Sequence, residues 1–168
     1  MTAQDTEKTT TLTRWLSEYQ ALIYKVVMSY EAQHSAREDL FQDIALALWR
    51  SIDRFAGESK ESTWIYRVAL NTAIDHTRKA VRTPASAPFD ETTHWVQLQS
   101  PPEDINWVYE KIRALETVER SLMLLYLDGN SYEEIAHILG ISPNSVGAKI
   151  NRVKGKLQTL FNRETQTS

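Results

Sequence analysis

At 168 residues, with 42% hydrophobic and 24% charged residues, the chain has an ordinary globular composition and a length that fits one domain or two small ones. The absence of cysteine excludes disulfides and thiolate metal sites and is compatible with a reducing compartment. The net charge of −3 argues weakly against a nucleic-acid partner when averaged over the chain, but the charges are not evenly spread. Residues 54–82 carry six Lys/Arg against three acids, and residues 142–168 carry five against Glu164 alone. Residues 83–110 hold five acids and no Lys or Arg. Two basic stretches flanking an acidic connector suggest two phosphate-contacting surfaces. Residues 1–11 are polar and include Asp5 and Glu7, unlike a secretory signal, and no apolar run nears the roughly 18 residues that span a bilayer. A cytoplasmic protein without membrane insertion is expected.

Glycine is scarce and apolar residues recur at three and four, so the predicted fold is all-α: two small helical domains joined by a flexible linker. The first helix is predicted over residues 12–32, burying Leu12, Trp15, Leu16, Tyr19, Ile23, Val26, Val27 and Tyr30. A second starts at Ser35, whose spacing to Glu38 is that of a capping box, and runs to Phe55 with Leu40, Ile44, Ala45, Leu48 and Ile52 inward. Gly57 and a polar loop lead to a third over residues 63–81. The helical period then lapses, and Pro84, Pro88, Pro101 and Pro102 mark an acidic linker over residues 83–104. Some 20 residues can extend to ~70 Å, about two turns of B-DNA. The first domain is thus placed at 12–82 and the second at 105–163.

In the second domain, Ile105, Val108, Ile112 and Leu115 mark one amphipathic helix, and Val118, Leu122, Leu125 and Tyr126 the next, closed by Gly129. Ser131 and Glu134 form a capping box, Gly140 ends that short helix, Ser142 caps the last one, and Pro143 occupies its first turn. Ala136, Gly140 and Val146 fall where a helix-turn-helix needs a small residue, a positive φ and an apolar lock. Val146, Ile150, Val153, Leu157 and Leu160 would be buried, leaving Asn144, Ser145, Ala148, Lys149, Arg152 and Lys156 outward. The small polar residues near the helix start can reach base edges, and the cations beyond them phosphates. Lys154 and Arg163 are equally plausible as ordinary surface cations.

Two segments carry a resemblance. "REDLFQDIALALWRSIDRFAGESKESTWIYRVALNTAIDHTRK" (residues 37–79) resembles region two of the extracytoplasmic-function (ECF) subfamily of bacterial RNA polymerase sigma factors. "LLYLDGNSYEEIAHILGISPNSVGAKINRVKGKL" (residues 124–157) resembles region four. The resemblance implies a protein that binds RNA polymerase core through the β′ clamp helices and the β flap, directs it to promoter DNA, and answers to an anti-sigma factor. It places Asp39, Leu40, Gln42, Asp43, Leu46 and Trp49 in the stretch that docks on the clamp helices. Arg50 and Asp53 share the side of that helix away from the core stripe, and a face mixing Leu46 and Trp49 with acids suits a protein interface. Trp49 completing the core instead stays open.

The resemblance further implies −10 recognition and melting by the following segment, with an unpaired base captured in loop 57–62. Ser59, Lys60, Ser62 and Thr63 belong to that loop and the helix start, and Arg67, Asn71, Asp75 and Arg78, followed by Lys79, lie along one sector of the helix. Asn71 matches the Asn of the family's "YRxAxN" pattern. Trp64, Tyr66 and Phe55 are candidates to stack on bases, although aromatics at such spacings are more often core. Region four would read the −35 element through Asn144, Ser145, Ala148, Lys149, Arg152 and Lys156. One departure matters: Gly147 stands where many members carry Arg, which removes an expected donor and costs about 1 kcal/mol of helix propensity.

The residues alone leave open a polymerase-independent helix-turn-helix regulator. Catalysis is not expected. His34, His76, His94 and His137 show no paired metal spacing, and neither a Gly-rich phosphate loop nor a Ser/His/Asp arrangement occurs. No cofactor, metal or small-molecule substrate is expected.

Overall fold

A computed structural model describes residues 2–82 and 102–167, the side chains of 81, 82 and 104 excepted. Among these residues all regular structure is helical: α1 (Ala3–Glu18), α2 (Gln20–Tyr30), α3 (His34–Ser51), α4 (Glu61–Arg82), α5 (Glu103–Arg113), α6 (Thr117–Leu127), α7 (Tyr132–Leu139) and α8 (Pro143–Thr165). The predicted linker, with Pro84, Pro88, Asp90, Glu91 and Pro101, lies mostly outside the described residues. Its last two members, Glu103 and Asp104, instead open α5.

Helices α1 to α4 enclose one apolar centre of Trp15, Ile23, Val26, Val27, Leu40, Ile44, Leu48, Ile65, Leu70 and Ala73, each almost wholly buried. The first predicted helix is two. It begins at Ala3, under a Thr2–Asp5 capping box, and breaks at Tyr19, whose φ of −107° and ψ of 21° bend the chain without opening a loop. The bend puts the Tyr19 hydroxyl 3.1 Å from the Glu61 carboxylate, a partner with no local sequence signature. The predicted Ser35 cap is also corrected. α3 starts at His34 with Gln33 as an uncapped N-cap, and Glu38 pairs with His34 at 3.1 Å. Arg37 ties the preceding turn instead, its Nε donating to the Glu31 carbonyl at 2.9 Å. α3 stops at Ser51, and a single 3-10 turn, Ile52–Arg54, continues toward Phe55.

Helices α5 to α8 enclose a second centre of Ile112, Leu115, Leu122, Leu125, Ile135, Ala136, Val146, Ile150 and Val153. Most local signals act as expected, although Ser142, at the N-cap of α8, makes no side-chain cap bond and offers only its carbonyl, which accepts from Ser145. Ser131 and Glu134 cap α7 reciprocally, Gly140 ends it at φ 68°, and Pro143 opens α8. Gly129 closes α6 at φ 85°, with the Asn130 amide returning to the Leu125 carbonyl. Val118 departs from expectation and is exposed, because it sits in the first turn of α6, ahead of the buried run from Ser121 to Leu125.

The two centres are in contact: α2 packs on α5 and α6, and α4 on α6 and α7. The buried Tyr30 hydroxyl lies 2.6 Å from the Thr117 carbonyl and 2.5 Å from Ser121 Oγ. Arg113 donates to the Met28 carbonyl at 2.7 Å, where the last turn of α2 presents its negative end. Lys25 pairs with Asp128, and Arg120 lies over the Tyr30 ring at 5.5 Å.

Candidate partner and nucleic-acid interfaces

The outer side of α3 mixes charge with exposed hydrocarbon. Asp39, Asp43, Leu46, Arg50 and Asp53 are exposed, and Gln42 and Trp49 are half-buried. Leu46 is 47% exposed, a large aliphatic group facing solvent between acids. Leu40 does not belong to this face. It is fully buried in line with Ile44 and Leu48, so its contribution is to hold the helix, not to touch a partner. Trp49 keeps an accessible edge, while Lys8 from α1 lies 4.8 Å over its ring and bonds Asp53 at 2.7 Å. The N-terminal helix thus borders the face, which the expected helix start at residue 12 left unseen. Asp43 meets His76 Nδ1 of α4 at 2.8 Å, and the other ring nitrogen of His76 lies 3.5 Å from Glu31. Burial raises the Glu31 carboxyl above its ordinary pKa, opposed by the nearby His76 and arginines.

On α4, Arg67, Asn71, Asp75 and Arg78 recur every three or four residues along one exposed strip, and Lys79 is exposed beside it. Lys60 is exposed, and Ser59, Ser62 and Thr63 are half-buried around the loop that Gly57 turns with φ 71°. The loop has a firm root. Glu61 holds Arg14 through both oxygens, at 2.5 and 2.9 Å, and this guanidinium contact pulls the Glu61 pKa down to about 2. The candidate stacking aromatics are mostly committed elsewhere. Tyr66 is buried, with burial and the nearby Asp128 raising its phenol pKa, so it cannot stack on a base. Phe55 packs between Trp15 and Trp64 at 5.6 Å from each, and the Trp64 indole N–H donates to Ser51 Oγ at 3.1 Å. Trp64 is half-buried and serves first to anchor the loop on α3.

On α8, Asn144, Ala148, Lys149 and Arg152 are exposed, and Ser145 is half-buried with its hydroxyl donating to the Ser142 carbonyl at 2.8 Å. Lys156 is exposed but paired with Glu119 of α6 at 2.5 Å, beside a cleft of about 360 Å³ lined by Leu115, Thr159 and Leu160. That pairing sets it apart from the other cations of the outward face. Lys154, whose role was open, donates to the Tyr126 hydroxyl at 2.7 Å and lies 4.3 Å over that ring. Two exposed strips on separate helices therefore carry amides and cations, with Asp75 within the α4 strip and Lys156 of α8 paired to Glu119. Among the described residues no group of side chains could hold a metal ion, and no helix is long and apolar enough to cross a membrane.

Comparison with known proteins gives these faces a context. The sigma-70 region 2 model matches residues 15–83, and the sigma-70 region 4 model matches residues 105–157. The ECF RNA polymerase sigma-E factor of Escherichia coli K12 is 31% identical over 144 residues, spanning 74% of this chain and 75% of that protein. The chain belongs to the ECF sigma factors of RNA polymerase. This sigma factor is also 28% identical to the sigma-E factor of Haemophilus influenzae over 165 residues, 87% of each chain. Its fold resembles that of CnrH bound to the cytosolic domain of CnrY (TM-score 0.64, 19% identity, 90% of this chain and 88% of that one). It also resembles that of the sigma factor RpoE bound to the anti-sigma factor NepR from Bartonella quintana (TM-score 0.65, 22% identity, 89% and 97%).

Proposed function

We propose that this sigma factor divides its work among three faces: α3 engages polymerase core, α4 with its preceding loop reads and opens the −10 element, and α8 reads the −35 element. The observation that carries this reading is that all three faces stay open to solvent although the two helical units are packed together. On α3, Leu46 and the free edge of Trp49 supply apolar anchors within an acidic rim, the composition of a hot spot rather than of a solvent face. On α4, Asn71 offers a donor and an acceptor to a base edge, flanked by Arg67 and Arg78 for phosphates. Extruding a base costs a few kcal/mol, and contacts from loop 57–62 would offset that. On α8, Asn144 and Ala148 face bases while Lys149 and Arg152 face phosphates.

The first domain, 12–82, would hold core binding and −10 recognition, and the second, 105–163, the −35 contact. The protein acts in the cytoplasm, where polymerase supplies the nucleotidyl transfer and this chain supplies none. One fold neighbour is a complex with the anti-sigma factor NepR and another with the cytosolic domain of CnrY, which supports control of this chain by an anti-sigma factor. Reconstitution tests the whole reading. Core polymerase plus the full chain should yield transcripts from defined promoters, and the chain alone should give none and protect no promoter. A footprint by the chain alone, without any core-dependent transcript, would instead establish a polymerase-independent regulator.

A further inference from the structure

Gly147 poses a physical problem. It lies inside α8 with no positive φ, so the backbone does not require glycine there. A glycine in a helix interior nevertheless disfavours the helix relative to alanine. The structure supplies a reason from outside the helix. A Cβ at position 147 would stand 3.3 Å from Cε2 of Tyr132, the first residue of α7, so any side chain there crowds that ring. Tyr132 is itself 43% exposed, an aromatic residue left partly open beside the recognition helix. Gly147 shares a helical sector with Asn151 and Lys154, next to the sector of Asn144 and Ala148. Lys154 of the Gly147 sector is held in place by donating to the Tyr126 hydroxyl at 2.7 Å.

We propose that Tyr132, seated on Gly147, is a specificity-determining residue of the −35 contact, presenting its phenol where a side chain at 147 would otherwise stand. The glycine is then the seat of a replacement group rather than a lost contact. A phenol can meet a thymine methyl with its ring and a base edge with its hydroxyl, and it reaches the groove from α7 instead of from α8. Seated this way, Tyr132 widens the reading surface to both helices of the helix-turn-helix.

The proposal rests on the assignment of α8 to the −35 element, and the test separates the two. Core polymerase with the full chain is used to transcribe a promoter pool randomised over the −35 element, and base preference is read by sequencing the transcribed templates. Tyr132→Ala should flatten the preference at one or two adjacent positions by about tenfold, the scale of one good base contact. Gly147→Ala, which displaces the ring and keeps the phenol, should alter the same positions, and the double variant should add little. An equal loss on every sequence would mean that Tyr132 only supports the α7–α8 packing, and the proposal would be overturned. Unchanged preferences in both variants, with Asn144→Ala and Arg152→Ala still weakening −35 dependence, would overturn it and leave α8 as the reader. If those two also leave −35 dependence intact, the assignment of α8 falls and the proposal with it.

Discussion

Tyr30→Phe isolates the energy that holds the two helical units together. The ring is 4% exposed and its volume is retained by phenylalanine, so no cavity opens. What is lost is the hydroxyl, 2.6 Å from the Thr117 carbonyl and 2.5 Å from Ser121 Oγ, across the boundary between α2 and α6. Thr117 is at the first turn of α6, where its carbonyl already accepts within the helix. Ser121 is fully buried, and its hydroxyl loses a partner that water does not replace. Leaving one buried polar group short costs about 1–3 kcal/mol. If that cost falls on docking alone, the docked-to-separated ratio drops by a factor of roughly 5 to 150. The chain has no cysteine, so Ser35→Cys and Gln158→Cys give a unique dye pair on the two units for single-molecule energy transfer. The high-transfer population should shrink in Tyr30→Phe and recover when the separated state is disfavoured by crowding agents. An unchanged transfer histogram with a lowered melting temperature would refute the reasoning, since the hydroxyl would then stabilise the folded units and not their contact.

Leu46→Ala with Trp49→Ala should weaken core binding by about thirtyfold to a thousandfold in a competition assay while far-UV circular dichroism stays helical, since interface anchors contribute on the order of 1–2 kcal/mol each. Full affinity in the double variant would place the interface elsewhere. Asn71→Ala should reduce discrimination among −10 sequences by about tenfold while total DNA affinity changes little, measured on single-stranded −10 oligonucleotides with core present. Acid should loosen the root of loop 57–62. The Glu61 pKa is depressed from 4.5 to about 2, so its contribution is complete above about pH 4.5 and is lost as pH falls toward 2. Because the pair is partly exposed, the loss is about 1 kcal/mol, and a urea midpoint that falls between pH 5 and pH 2.5 in the native chain should flatten in Glu61→Gln.

The helix-turn-helix was the most legible part of the chain because its signals are local. Ser131 and Glu134 are three residues apart, Gly140 needs only its own φ, and Pro143 needs only its own first turn. The strips of Arg67, Asn71, Asp75 and Arg78 on α4, and of Asn144, Ala148 and Arg152 on α8, were equally readable, since a 3.6-residue period alone separates an outer face from a core stripe. The departures have a common cause in long-range contact. Nothing near Tyr19 announces a break, because the group it reaches is Glu61, and nothing near Ser35 says that Arg37 will tie the turn first. Lys156 looked like its neighbours until Glu119 of another helix took it, and Trp64 looked available until Ser51 and Phe55 fixed it. Leu40 carried two meanings in one motif, and burial chose the structural one.

The contacts between the two units and the residues on their faces control different quantities. Tyr30, Lys25 and Arg113 act where α2 meets α5 and α6, and none of them lies on the exposed strips of α3, α4 or α8. Weakening them should change how freely the two helices proposed to read DNA take up a new separation, and should leave the chemistry proposed for each base untouched. In the proposed reading Asn71, Tyr132 and Arg152 offer that chemistry, each from an exposed position. If Tyr132 on Gly147 reads a base as proposed, surface exchanges such as one at Gly147 would shift sequence preference without disturbing the apolar core. The fold tolerates that freedom because the core stripe of α8, from Val146 through Ile150 to Val153, is wholly on the other side of the helix.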